Sequence, residues 1–254
     1  MKKIALVTGA TSGIGRATAL MLARNGYDLI ITGRRLDRLT ELSETLVQQF
    51  CVRAYIMNFD IRDRQQTDVA FDQLPMEWQS IDLLINNAGL AAGASGIEDG
   101  QWAHWEQMID TNVKGLLYLS KKVIPFMVNR KSGHIVNLSS VAASQVYAGG
   151  NVYCATKHAV DAITKGMRVD LLKYGIRVSS VSPGMVATEF SIVRYDGDAA
   201  KAAKVYDGVT PLSADDVADT IEFIVTRPAH VNINDVLIMP TQQAMAYYVD
   251  RKTT

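Results

Sequence analysis

The stretch KIALVTGATSGIGRATALMLARNGYDLIITGRR, residues 3–35, decides the fold. It opens on an apolar run that stops at Thr8-Gly9 and closes on a second, YDLIIT at 27–32. Near-continuous apolar runs mark strands buried on both faces. Between them lies a helix-length segment opened by Gly9, Gly13 and Gly15. Strand, glycine turn, helix and strand make a βαβ unit. At its first turn, Gly9 can make the tight bend, Gly13 lets the backbone approach a diphosphate, and Gly15 allows close helix packing. The helix from Ile14 would aim its N-terminus at that diphosphate. Thr11, Ser12 and Ile14 join the three glycines as nucleotide-binding candidates.

The same alternation continues outward. Strand-like runs recur at 53–59, 81–86, 134–139, 176–182 and 235–240. Helix-length segments lie at about 14–25, 35–49, 64–74, 100–130, 151–174 and 214–227. This predicts an α/β protein: a single Rossmann-type doubly wound domain over 1–254, with a mainly parallel seven-stranded sheet and helices on both faces. No linker divides the chain. Segment 190–213 lacks a strand and follows one, so it is read as a substrate lid within the domain.

Bulk properties exclude several classes. The chain has 254 residues, 48% apolar and 20% charged, which calls for no disordered or fibrous reading. Twenty-six basic residues balance 26 acidic ones, so neither nucleic acid nor a membrane surface is an expected partner. The apolar run after Lys2-Lys3 is shorter than the ~7–15 residues of a signal-peptide core. No run approaches the ~20 residues of a membrane span. Cys51 and Cys154 form no CxxC or metal spacing, in keeping with a cytoplasmic protein. The four histidines show no ligand spacing, and no metal is expected.

The end of the second strand reads Thr32-Gly33-Arg34-Arg35, with no carboxylate before Asp37. A carboxylate there would accept from ribose hydroxyls and repel a 2′-phosphate. A guanidinium binds such a phosphate through paired, charge-assisted hydrogen bonds. Arg34 and Arg35 therefore point to NADP rather than NAD.

The chemistry is sought in YCATK, Tyr153–Lys157. Positions i and i+4 share a helical face, so Tyr153 and Lys157 can meet at one spot. The strand GHIVNLSS ends thirteen residues earlier at Ser140, which can reach the same spot. A second Tyr-x-x-x-Lys match, Tyr118 and Lys122, has tryptophan at the corresponding distance and reads as a helix surface pair.

These motifs together resemble the short-chain dehydrogenase/reductase family. TGATSGIG, NNAG at 86–89, Asn112, Ser140, YCATK and Pro183-Gly184 stand in that family's order and spacing across essentially the whole chain. The resemblance implies catalysis by Asn112, Ser140, Tyr153 and Lys157. Tyr153 would be the general acid or base, its pKa of ~10 lowered by the nearby Lys157 ammonium. Lys157 would also hold the nicotinamide ribose, and Ser140 the substrate oxygen. Asn112 would help hold a proton relay through water. Asp60 and Ile61 resemble the adenine-binding pair, and Asn87, Ala88 and Gly89 the cofactor support. Pro183, Gly184, Val186 and Thr188 resemble the nicotinamide-side segment.

Within the family the chain resembles the NADP-dependent 3-hydroxy acid dehydrogenases, on TGRRLDRL (32–39), NNAGLAAG (86–93), MIDTNVKGL (108–116), YAGGNVY (147–153) and PAHVNIN (228–234). That implies a small hydroxy or oxo acid substrate, of the serine, allo-threonine or 3-hydroxypropionate type. Its carboxylate needs a cation, and Arg194 in the lid is the candidate, with Ser140 and Tyr153 as the other substrate contacts. Reduction of a 3-oxoacyl thioester or of broader carbonyls is the alternative within the family. A non-catalytic NADP-binding regulator is the alternative outside enzymes. Family members commonly assemble as homotetramers, which is the expectation here.

Overall fold

The computed structural model describes residues 2–252. Seven strands form one sheet: β1 (Ile4–Val7), β2 (Asp28–Gly33), β3 (Ala54–Asn58), β4 (Ile81–Asn86), β5 (Gly133–Leu138), β6 (Ile176–Pro183) and β7 (Asp235–Ile238). Their order is β3-β2-β1-β4-β5-β6-β7, and every neighbouring pair is parallel. The sheet predicted as mainly parallel is parallel throughout. The order reverses between β1 and β4. That reversal opens a crevice at the carboxyl ends of the strands, where open α/β sheets bind ligands.

Alternate strand residues face opposite sides. Val7, Leu29, Ile31 and Ile85 belong to one apolar layer, under α1 (Gly13–Arg24), α2 (Leu36–Phe50) and α9 (Ala214–Val225). Leu6, Ile30 and Leu84 belong to the other, with Leu119 and Val123 of α5 (Leu116–Arg130) and Val160 and Met167 of α6 (Asn151–Leu171). The smaller α3 (Arg64–Asp72) adds Phe71 to this second layer. Every residue of β1 is buried, which is why the sequence shows a run there rather than alternation.

Polar side chains cross the sheet at one level. Asn86 and Asn137 are register partners on β4 and β5. Asn86 Nδ2 donates to Asn137 Oδ1 at 2.8 Å and to Ser120 Oγ at 3.0 Å. Asn137 Nδ2 donates to Thr164 Oγ1 at 2.8 Å. Buried amides seek partners, and the two Nδ2 groups find theirs on α5 and α6, while Asn86 Oδ1 has none among the described residues.

The predicted helix at 100–130 is one continuous helical segment with a π turn in it. α4 (Trp102–Ile109) passes through Asp110–Gly115 into α5. The 190–213 segment holds α7 (Phe190–Arg194) and α8 (Ala199–Lys204). Its base is clasped by a bridge between Val186 and Leu212. Leu212 N donates to Met185 O, and Ala187 N to Leu212 O. No helix among the described residues is long and apolar enough to cross a membrane.

Candidate active site

A cleft of about 350 Å³ opens at the carboxyl ends of the strands. Its floor is the glycine turn. Gly9 and Gly13 have φ of +64° and +52°, the left-handed region that favours glycine. A Cβ on Gly15 would run into Gly9 O and Asn87 Nδ2. Thr8 locks this turn to the loop after β4. Its hydroxyl accepts from Asn87 N and Ala88 N, both at 2.9 Å. Asn87 Nδ2 donates back to Thr8 O at 2.8 Å.

The structure brings most of the sequence candidates into this one cleft. Gly9, Thr11, Ser12, Gly13, Ile14, Arg34, Arg35, Asp60, Ile61, Asn87, Ala88, Gly89, Ser140, Tyr153, Lys157, Pro183, Gly184, Val186 and Thr188 all line it. Gly15 lies behind it as a packing residue. The cleft also has buried hydroxyls without partners: Thr111 Oγ1 and Ser139 Oγ are sealed from solvent and bond to nothing among the described residues. Such orphans are rare in folded proteins. A close-backbone glycine cradle with orphaned donors along its wall fits a dinucleotide.

At the far end stand Ser140, Tyr153 and Lys157. Ser140 follows the end of β5 and caps the next turn, its Oγ accepting from Ala142 N at 3.1 Å. Tyr153 and Lys157 lie in the first two turns of α6, 8% and 6% exposed. Lys157 Nζ donates to Leu138 O at 3.0 Å and lies 5.9 Å from the Tyr153 ring centroid. Burial pulls the Lys157 ammonium down to about 8. Tyr153 moves opposite to expectation. Burial drives its phenol above the ordinary value, Tyr147 adds to this, and the Ser140 hydroxyl and the Arg194 charge pull the other way. Lys157 is turned to the Leu138 carbonyl, and its own charged form is weakened by the same burial.

Asn112 sits in the π turn, outside the cleft wall. Its Oδ1 accepts from Leu90 N at 2.8 Å. Its Nδ2 donates to Leu90 O at 2.8 Å and to Thr156 Oγ1 at 3.0 Å. These bonds tie the loop after β4 to α6. π turns recur at functional sites, and here one is pinned beside Tyr153. Asp60 is drawn below the usual carboxylate range: burial opposes this, but the Arg62 guanidinium bonds both of its oxygens.

Arg194 is not where the sequence reading put it. The lid wall is made by Phe190 and Val193. Arg194 turns away: Nε donates to Gly93 O, Nη1 to Tyr147 Oη and Nη2 to Gly149 O. Its guanidinium also stacks 5.6 Å over the Tyr147 ring. It has no carboxylate partner among the described residues, and its charge still reaches Tyr153. Tyr118 and Lys122 stay out of the cleft, as expected, but they are half-buried and Lys122 pairs with Asp68 at 2.8 Å.

Sequence reading missed Thr8, Thr111, Ser139, Leu90, Phe190 and Glu189. A lone threonine or serine carries no signal of its own. Only Glu189, adjacent to Thr188, stood where a closer look at the strand-end segment could have found it. Among the described residues no cluster of His, Cys, Asp or Glu could hold a metal ion.

Comparison with known proteins places this geometry. A family model described as short chain dehydrogenase matches residues 3–198. A protein of Chromohalobacter salexigens named sulfoacetaldehyde reductase 2 is 46% identical over 253 residues, 99% of this chain and 100% of that protein. The NADP-dependent 3-hydroxy acid dehydrogenase YdfG of Escherichia coli is 44% identical over 244 residues, 96% of this chain and 97% of that protein. A solved structure titled as the closed form of serine dehydrogenase complexed with NADP+ superposes with a TM-score of 0.92 at 43% identity, covering 98% of this chain and 100% of that one.

Proposed function

The chain belongs to the short-chain dehydrogenase family, and on that premise we propose that it is an NADP-dependent oxidoreductase of small 3-hydroxy and 3-oxo acids. The observation that carries this reading is the convergence of Ser140, Tyr153 and Lys157 at one end of a dinucleotide-shaped cleft whose other end holds Arg34 and Arg35. The glycine turn would hold the diphosphate, Asp60 and Ile61 the adenine side, and Arg34 and Arg35 the 2′-phosphate. When bound, the cofactor supplies the hydride.

The protein's own groups handle the proton. Tyr153, held above its ordinary pKa, stays protonated at neutral pH and can give its proton to a carbonyl oxygen. In the reverse direction only its phenolate form, which grows with pH, can take the alcohol proton. Ser140, beside it, hydrogen-bonds that oxygen as charge develops on it. Lys157 would hold the nicotinamide ribose. Asn112 sets the position of α6 against the Leu90 loop rather than touching the reacting atoms. The segment 190–213 would act as the lid, closing the substrate end with Phe190 and Val193.

The substrate's anionic end would meet Arg194 once the lid rearranges and swings this half-buried guanidinium, which lacks a carboxylate partner, from Gly93, Tyr147 and Gly149 toward the cleft. Three of its five N–H groups are engaged, which leaves two to take an anion. A sulfonate would serve as well as a carboxylate there. The 46% identity to a sulfoacetaldehyde reductase makes a small sulfonated alcohol or aldehyde the second reading. A cytoplasmic homotetramer belongs to the same reading, and sedimentation of the purified chain tests the assembly.

Nicotinamide absorbance during turnover with NADP+ tests the proposal. L-Serine, L-allo-threonine, 3-hydroxypropionate and 2-hydroxyethanesulfonate are compared with uncharged alcohols, in the native chain and in Arg194→Met. Turnover of carboxylates above sulfonate supports the first reading, and the reverse the second. Arg194→Met should raise KM for anionic substrates and leave uncharged ones unchanged. Turnover confined to uncharged alcohols would overturn both.

A further inference from the structure

Both arginines assigned to the 2′-phosphate already face carboxylates of this chain. Arg34 Nη1 lies 3.8 Å from Asp60 Oδ2. Arg35 is held more closely. Its Nη1 donates to Glu189 Oε2 at 2.8 Å, and its Nη2 to Thr11 Oγ1 and Ser12 Oγ, both at 2.8 Å. The other Glu189 oxygen accepts from Arg38 Nη1 at 2.6 Å. Arg35 and Arg38 are three residues apart at the start of α2, on one helical face. Glu189 comes from a distant part of the chain, just before α7, yet lines the cleft beside Arg34, Arg35, Thr11 and Ser12.

The charges do not balance. Four guanidinium groups, Arg34, Arg35, Arg38 and Arg62, form ion pairs with only two carboxylates, Asp60 and Glu189, while Asp37, Glu41 and Asp110 act on Arg38 and Arg62 from further off. Among the groups in contact, two positive charges are left over. A phosphate monoester carries about two negative charges near neutral pH. The cluster therefore has the charge to accept one phosphate without expelling either carboxylate from it. Arg34 makes no hydrogen bond among the described residues and is open to that phosphate, whereas Arg35 has four of its five N–H groups already engaged by Glu189, Thr11 and Ser12 and cannot turn a fork onto it in the present arrangement.

We propose that Glu189 is a specificity-determining residue: its carboxylate holds Arg35 in place of a cofactor 2′-phosphate and yields to that phosphate by shifting onto Arg38. The inference rests on the NADP reading above and goes beyond it. Arg35 and Glu189 side chains are 39% and 40% exposed, and pairs so exposed contribute little. A phosphate held by a guanidinium fork is stronger, so the phosphate wins the exchange. It wins against a competitor, and affinity for 2′-phosphorylated ligands is lowered accordingly. A ligand without that phosphate leaves the Arg35–Glu189 pair in place. Glu189 therefore acts on one ligand class alone. Arg38 is the retaining partner. Without it, Glu189 rests wholly on Arg35 and competes harder.

Calorimetry on the full chain with adenosine 2′,5′-bisphosphate and adenosine 5′-monophosphate tests this without turnover. Glu189→Gln should bind the bisphosphate on the order of fivefold tighter, the equivalent of one exposed ion pair, and bind the monophosphate as the native chain does. The gain should shrink with added salt. Arg38→Gln should weaken bisphosphate binding in the native background and have no effect in the Glu189→Gln background. Unchanged or weaker bisphosphate binding in Glu189→Gln overturns the exchange, as does an Arg38 effect that persists without Glu189. A native chain that does not prefer the bisphosphate over the monophosphate overturns the NADP reading instead.

Discussion

Replacing Lys157 by methionine should abolish turnover and stabilise the protein. Burial takes this ammonium from 10.5 down to about 8. At about 1.4 kcal/mol for each tenfold change in proton affinity, the buried charge costs the folded state about 3 kcal/mol. Below about pH 8 both folded and unfolded chains hold the proton, and the whole cost is present. Between about 8 and 10.5 the unfolded chain holds more protons, so native stability rises with pH. Above that range neither state is charged and the cost is gone. Lys157→Met escapes it at every pH but strands Leu138 O, which the ammonium now satisfies, at about 1 kcal/mol. The net gain near neutral pH is about 2 kcal/mol, disappearing toward pH 10. Urea unfolding of both proteins, at equal chain concentration and from about pH 7 to 10, reads the difference directly. A variant no more stable than the native chain at neutral pH, or a difference that stays flat with pH, would refute the reasoning.

Tyr153→Phe should lower turnover by about 10²–10⁴-fold while NADP binding, followed by nicotinamide fluorescence, is kept; full activity would remove the tyrosine from the mechanism. In the native chain, carbonyl reduction should stay level through neutral pH, because burial holds the phenol protonated. Alcohol oxidation should climb with pH over the same range, and a fall would contradict the assigned proton direction. Arg34→Asp should weaken NADP at least about tenfold relative to NAD, the cost of facing the phosphate with a carboxylate. Gly15→Ala should cost about 1–3 kcal/mol in urea unfolding and lose nucleotide binding, since its Cβ meets Gly9 O and Asn87 Nδ2.

The sheet was legible because both faces of its central strands are covered, so β1, β2 and β4 wrote themselves as apolar runs. The glycine turn was legible because its positive φ values narrow the choice of residue. Ser140, Tyr153 and Lys157 were legible through spacing, since a helix converts four residues into one face. What could not be read was how burial divides the charges. Spacing puts Lys157 near Tyr153 but says nothing of the Leu138 carbonyl that accepts its hydrogen bond. The π turn at Asp110–Gly115 leaves the apolar pattern of a long helix unchanged. Arg194 was read as a cleft residue because its position in the lid is visible and its rotamer is not. Glu189 was passed over because its partners, Arg35 and Arg38, lie about 150 residues away.

The amide bridge across the sheet has a consequence for how α6 is held. Thr164 is tied to Asn137 past the middle of the helix, and two turns earlier Lys157 is tied to Leu138 and Thr156 to Asn112. Apolar packing has no direction and would let a helix creep along its groove. Advancing by a single residue, about 1.5 Å, would break all three ties together. The hydrogen bonds thus act as a vernier that sets where along its axis the helix stops, and the phenol rides on that setting. The apolar core supplies the grip, and the amides supply the tolerance.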